Sequence, residues 1–139
     1  MNYFQRYEKK FFIDFSQELK IKKKFKNIFD LEFDHGYYCY SLYFDDLNFS
    51  NLKQKQEGNT KRHKIRLRTY FSNFNDKINS WNLEIKCKDN STVKKRKISF
   101  THQEVLDNLK KKNYSFFSNN FAETSKTYYE PVYTTLYFR

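Results

Sequence analysis

Polar and apolar residues alternate through most of the chain, which predicts strands joined by short turns. "RYEKKFFI" (6–13) puts Arg6, Glu8 and Lys10 on one face and Phe11 and Ile13 on the other. A β-rich run "GYYCYSLYFDD" (36–46) follows Gly36, and strands are predicted over 62–71, 80–88 and 92–100. Turns are expected around "NFND" (73–76) and "DNS" (89–91). Pro131 opens a last strand, "VYTTLYFR". Helical spacing intervenes at three places. Asp14 and Gln17 cap a helix over about 16–29, with Leu19, Phe25, Ile28 and Phe29 as its apolar stripe. Thr101 and Glu104 form a capping box for a helix carrying Val105, Leu106 and Leu109. A further helix is expected over about 116–127, and 47–61 is expected to be a polar loop turning at Gly58. The order predicts an α+β domain around an antiparallel sheet.

The faces of these strands are biased in sign. Arg66, Arg68 and Tyr70 share one face of their strand, Glu84, Lys86 and Lys88 share one face of the next, and Lys94 and Arg96 share one face of the one after. Alternation with cations outward is what a half-solvated antiparallel sheet shows. Against that ordinary reading, cations far outnumber acids here, and arginines occupy strand centres, whereas charge that blunts a sheet edge is more often lysine. If the sheet curls, charges from strands distant in sequence converge on one cationic tunnel, with the apolar faces packed outward on helices. Guanidinium forks bind phosphate oxygens bidentately, so such a tunnel suits a phosphate chain.

Composition sharpens this. The 139 residues suit one continuous domain, with 16 Phe and 12 Tyr to pack and only 2 Gly and 1 Pro. The 27 Lys and Arg against 16 Asp and Glu give a formal charge of +11, which predicts a polyanionic partner. Lys is inflated together with Asn, Phe, Tyr and Ile, as in an A/T-rich coding sequence, so the arginines carry more weight. The two cysteines, Cys39 and Cys87, lack metal-ligand or redox spacing and read as reduced, buried thiols. No leader pattern and no apolar run of about 20 residues occurs, so a cytoplasmic location without a membrane span is expected. The three histidines are dispersed, and two glycines build neither a P-loop nor a dinucleotide-binding turn.

Six segments in this order carry a family resemblance: "RYEKKFFI", "YSLYFDD", "LKQKQEGNTKRHKIRLRTY", "LEIKCK", "VKKRKISF" and "EPVYTTLYFR". Together they resemble the VTC domain, the catalytic domain of vacuolar transporter chaperone polyphosphate polymerases and their bacterial relatives. The resemblance spans essentially the whole chain. It implies a triphosphate tunnel, an antiparallel β-barrel whose lumen binds triphosphate and polyphosphate. The family's R-x-R falls on Arg66 and Arg68 and its E-x-K on Glu84 and Lys86. Its basic first strand falls on Arg6 and Lys10, its next basic strand on Lys94 and Arg96, and its Tyr and Arg on Tyr137 and Arg139.

By that resemblance Arg66, Arg68, Lys86 and Arg139 would clamp the phosphates of ATP for transfer to a growing polyphosphate chain. Arg6, Lys10, Lys94, Arg96 and Tyr137 would bind substrate, and Glu84 with Glu8 would hold a divalent cation, Mn²⁺ or Mg²⁺. Where related hydrolases open with E-x-E-x-K, Arg6 replaces the first glutamate, which favours the polymerase branch. The family continues past Arg139 with more strands and its principal metal-binding glutamate. A tunnel incomplete at the C-terminus is therefore expected, or one completed by strands from a partner chain or second copy. Two rival readings are a non-enzymatic polyphosphate or nucleotide-binding module and, less favoured, a nucleic-acid binder stacking bases on Tyr and Phe.

Overall fold

A computed structural model describes residues 11–25, 36–124 and 126–138. The chain forms two compact units, Met1–His35 and Gly36–Arg139. In the first, α1 spans Phe15–Phe25. Its start is the expected reciprocal cap: Gln17 N donates to Asp14 Oδ1 (2.8 Å), and Asp14 N donates to Gln17 Oε1 (3.0 Å). The strand expected over 6–13 falls mostly outside the described residues, and so do residues 26–29 of the expected helix.

The second unit is an antiparallel sheet with helices against one face. Its elements are β1 (Tyr38–Asp45), α2 (Ser50–Gln56), β2 (Lys61–Phe71), β3 (Ser80–Asp89), β4 (Thr92–Thr101), α3 (His102–Lys110), α4 (Ser115–Ser118) and β5 (Glu130–Phe138). The strand order is β4-β3-β2-β1-β5. Among the described residues this five-stranded sheet is open, not closed into the barrel expected from the sequence. Its two outer strands, β4 and β5, do not meet, so a lumen is not enclosed by these strands alone. No helix among the described residues is long and apolar enough to cross a membrane.

Register sorts the side chains into two faces. Leu42 and Phe44 on β1 oppose Leu67 and Ile65 on β2, which oppose Leu83 and Ile85 on β3; Leu83 in turn opposes Ile98 on β4. These residues, with Trp81, Val105, Phe117, Phe121 and Tyr129, form the core. Burying such apolar surface stabilises by roughly 25 cal/mol per Å². Phe117 is fully buried and packs its ring 5.4 Å from Phe44 and 6.3 Å from Phe100. The α3 capping box forms as expected: Glu104 N donates to Thr101 Oγ1, and Thr101 N donates to Glu104 Oε2.

Two helices differ from the sequence expectation. α2 lies inside the stretch expected to be a loop. Leu52 is its single large apolar residue, so it presents no stripe. It is instead nucleated by the paired aspartates before it. Asp45 Oδ1 accepts from Asn51 N and Asp45 Oδ2 from Leu52 N, both at 3.0 Å, while Asp46 Oδ1 accepts from Ser50 N at 3.0 Å. Phe49, at φ 54, makes the left-handed step into the helix. The helix expected over 116–127 shrinks to α4 and a chain of turns. There the Asn120 amide bonds the Phe116 carbonyl, and the Thr124 hydroxyl bonds the Ser118 carbonyl (2.6 Å), drawing the backbone out of helix.

Candidate functional site

The face opposite the core is assembled by the same register. Across the middle of the sheet run Tyr133 (β5), Tyr43 (β1), Arg66 (β2), Glu84 (β3) and Lys97 (β4). One row along are Thr135, Ser41, Arg68, Asn82 and Ser99. On the other side Lys64 opposes Lys86, which opposes Lys95, and beyond them Arg62 opposes Lys88. Three of the four residues expected to clamp phosphate thus share one face: Arg66, Arg68 and Lys86. Tyr137 joins them through its pairing with Cys39, the neighbour of Tyr70.

The centre of this face is buried and its margin is not. Ser41 is 0%, Glu84 4% and Arg68 6% exposed, while Lys86, Lys95 and Lys97 are exposed. Arg68 Nε donates to Ser41 Oγ at 3.0 Å. Burial pushes the Arg68 guanidinium down, but a hydrogen bond with Tyr70 and the nearby Cys39, Tyr70 and Tyr137 more than offset it, leaving the group firmly charged. Arg66 is clamped from two sides. Its Nε and Nη2 donate to Glu84 Oε2 at 2.9 and 2.7 Å, its Nη1 donates to Tyr43 O–H at 3.1 Å, and its guanidinium lies 5.8 Å from the centre of the Tyr43 ring. The Tyr43 ring stacks on Tyr133 at 4.5 Å.

Glu84 is the acid that organises the cations. Its Oε2 takes Arg66 and its Oε1 takes Lys95 at 3.0 Å. Burial alone would raise its carboxyl; the hydrogen bonds and charges of Arg66 and Lys95 outweigh that and hold it below its ordinary value. Lys64 shows the opposite strain. Burial first, then the charges of Lys55, Arg66, Lys86 and Arg62, push its ammonium below 10.5.

As a metal ligand Glu84 fits poorly. Both of its carboxylate oxygens are occupied by cations, and no cluster of three or more His, Cys, Asp or Glu able to hold a metal occurs among the described residues. Glu8, Arg6, Lys10 and Arg139 lie outside the described residues.

Lys94 and Arg96 are not on this face. Arg96 opposes Ile85 and Lys94 opposes Cys87, which places both with the core side of the sheet. There Arg96 pairs with Glu123 and lies 5.4 Å from the centre of the Phe121 ring. The cations that β4 does send to the polar face are Lys95 and Lys97. The physical reason is the two-residue period of a strand. Ile98 and Phe100 face the core, so Arg96 and Lys94 must face it too, and the alternate residues face away. The apolar end of "KKRKISF" was the signal that fixes this phase. Lys64, Ser41 and Tyr43 were also missed, because only pairing across β1, β2 and β3 reveals that they adjoin the arginines.

A search of curated proteins returns no match. The model of the VTC domain matches residues 5–139, and with that the chain belongs to the VTC domain family.

Proposed function

We propose that the cationic face of the sheet binds the phosphates of a triphosphate or polyphosphate, as a polyphosphate polymerase-related domain. Membership of the VTC domain family supports the choice of ligand. The observation that carries it is the register: Arg66, Arg68, Lys64, Lys86, Lys95 and Lys97, from three strands, share one face around the buried Glu84. Arg68, buried and fixed by Ser41, and Arg66, fixed by Glu84 and Tyr43, form the preorganised centre. Lys64, Lys86, Lys95 and Lys97 form a more exposed margin that would follow the rest of a phosphate chain. Preorganised charge is the main catalytic asset in phosphoryl transfer, where the transition state spreads negative charge over the phosphoryl oxygens. A complete site would move the terminal phosphoryl group of ATP onto polyphosphate, with Arg139 among the clamping groups. A divalent cation, Mn²⁺ or Mg²⁺, would arrive on the phosphates instead of occupying Glu84. Closure of the face into a tunnel belongs to the same proposal.

The test is titration of the chain with tripolyphosphate, followed by incubation with ATP and Mn²⁺. Saturable binding that Arg66→Glu/Arg68→Glu abolishes is expected; binding unchanged by that pair would refute the site. Polyphosphate formation then separates polymerase from a binding-only module. The binding-only reading is favoured by one observation, that Glu84 is wholly engaged as an ion-pair partner. A nucleic-acid reading predicts that an oligonucleotide resists displacement by tripolyphosphate.

A further inference from the structure

The cationic face is charged unevenly along its strands. At one end Arg62 opposes Lys88, and in the next row Lys64 opposes Lys86, which opposes Lys95. The row after that sets Arg66 and Lys97 on either side of Glu84, so one charge is cancelled. Arg68 is the single cation of its row, among Ser41, Asn82 and Ser99. Beyond it Tyr70 opposes Cys39, which opposes Tyr137, and charge has run out.

At that uncharged end two strands part. The pairing of β2 with β3 ends at Arg68 and Asn82, and past it the Thr69 hydroxyl bonds the Ser80 carbonyl at 2.9 Å. A cleft of about 260 Å³ opens there, lined by Thr69, Tyr70, Lys77, Asn79, Ser80 and Asn82. Tyr70 is 44% exposed, and Tyr37 steadies its ring in a T-shaped contact at 5.6 Å. Asn82 Oδ1 accepts from Ser99 Oγ at 3.0 Å, which leaves its amide N–H groups as donors. Asn79 is exposed. An aromatic ring beside side-chain amides is the chemistry that holds a nucleobase, by stacking and by hydrogen bonds to its edge.

We infer that this cleft is a nucleoside subsite: the base of a nucleoside triphosphate stacks on Tyr70 with its edge toward Asn79 and Asn82, and the phosphates run from Arg68 past Arg66 toward Lys64 and Lys86. The inference rests on the reading of the face as a phosphate site, and adds a direction to it. Side chains two residues apart on one face of a strand lie about 6.6 Å apart, so a triphosphate leaving the cleft at Arg68 reaches Arg66. The direction follows from charge. A neutral base set among Lys64, Lys86 and Lys95 would take those ammonium groups out of water without matching their charge, and phosphates at the Tyr70 end would meet few cations. Arg68, 6% exposed and fixed through Ser41, stands at the junction of base and phosphates.

The test compares ATP with tripolyphosphate by calorimetric titration of the full chain, natural and substituted. Tyr70→Ala should weaken ATP binding at least about tenfold and tripolyphosphate binding no more than about threefold. Tyr70→Phe keeps the ring and should hold both affinities within about threefold, which separates stacking from the hydrogen bond between Tyr70 and Arg68. Asn79→Ala, at an exposed position, should weaken ATP alone by several-fold, and it decides the matter if Tyr70→Ala lowers the melting temperature. Substitutions that treat the two ligands alike overturn the subsite and leave the phosphate site standing. So does a Tyr70→Phe loss as large as that of Tyr70→Ala, or a natural chain that binds tripolyphosphate but not ATP. A natural chain that does not bind tripolyphosphate overturns the phosphate site and the subsite with it.

Discussion

Arg66 and Arg96 carry almost the same local equipment. Each sits in the body of a strand, each pairs with one glutamate, and each lies beside one aromatic ring, Tyr43 at 5.8 Å and Phe121 at 5.4 Å. What separates them is the face. Arg66 shares its face with Lys64 and Arg68 of its own strand and Lys86 of the next, and its glutamate is buried. Arg96 stands at the border of the apolar core, and its pair with Glu123 is substantially solvated on both sides. An arginine with an acid and a ring is therefore no sign of a binding site by itself. The neighbours across the register make the difference, because a bound polyanion answers to summed charge instead of to one residue.

The comparison can be broken most directly by charge reversal. Arg66→Glu/Arg68→Glu should weaken tripolyphosphate binding by at least about 100-fold, whereas Arg96→Glu should change it by no more than about threefold. Lys86→Glu, at an exposed position of the same face and outside the Glu84 ion pairs, should also weaken binding several-fold with an unchanged melting temperature, which excludes unfolding as the cause. Equal effects from Arg96 and Arg66 would refute the division of faces.

The two glutamates offer a stability version. Glu84→Gln strands Arg66 beside an uncharged group and should cost about 2–3 kcal/mol, against less than about 1 kcal/mol for Glu123→Gln, measured by urea unfolding. The sign with pH follows from the lowered Glu84 value. Its contribution is present above 4.5 and lost as pH falls through the folded-state value, so Glu84→Gln should flatten the acid side of the stability profile.

Lys64 gives a smaller effect on binding. Its ammonium is depressed below 10.5, so affinity for tripolyphosphate should fall several-fold as pH rises toward 10.5, and Lys64→Arg should remove most of that fall. Calorimetric titration across alkaline pH checks both. The smallest expected effect lies away from either arginine. Tyr129→Phe deletes the 2.6 Å bond to His63 and should cost about 1 kcal/mol without altering phosphate affinity.

The strands were legible because their alternation is strong. The predicted 62–71, 80–88 and 92–100 differ from β2, β3 and β4 by a residue at the ends. The capping boxes at Asp14 and Thr101 were legible for the same local reason: all their partners lie within three residues. α2 was not legible, since its stability comes from Asp45 and Asp46 at the end of a strand and not from an apolar stripe. The phase of β4 was readable from Ile98 and Phe100 but is easily mistaken, because "KKRK" supplies a cation to both faces.

The sequence by itself determined the alternating strands, the surplus of cations, the R-x-R of Arg66 and Arg68, and membership of the VTC domain family, since each is written in spacing along the chain. Only the tertiary structure decided which cations stand together. It joined Lys95 and Lys97 to the arginines, sent Lys94 and Arg96 to the core side, and tied Glu84 to Arg66 and Lys95. The reason is geometric: which residues meet across strands depends on register, and a shift of one residue turns every side chain to the other face.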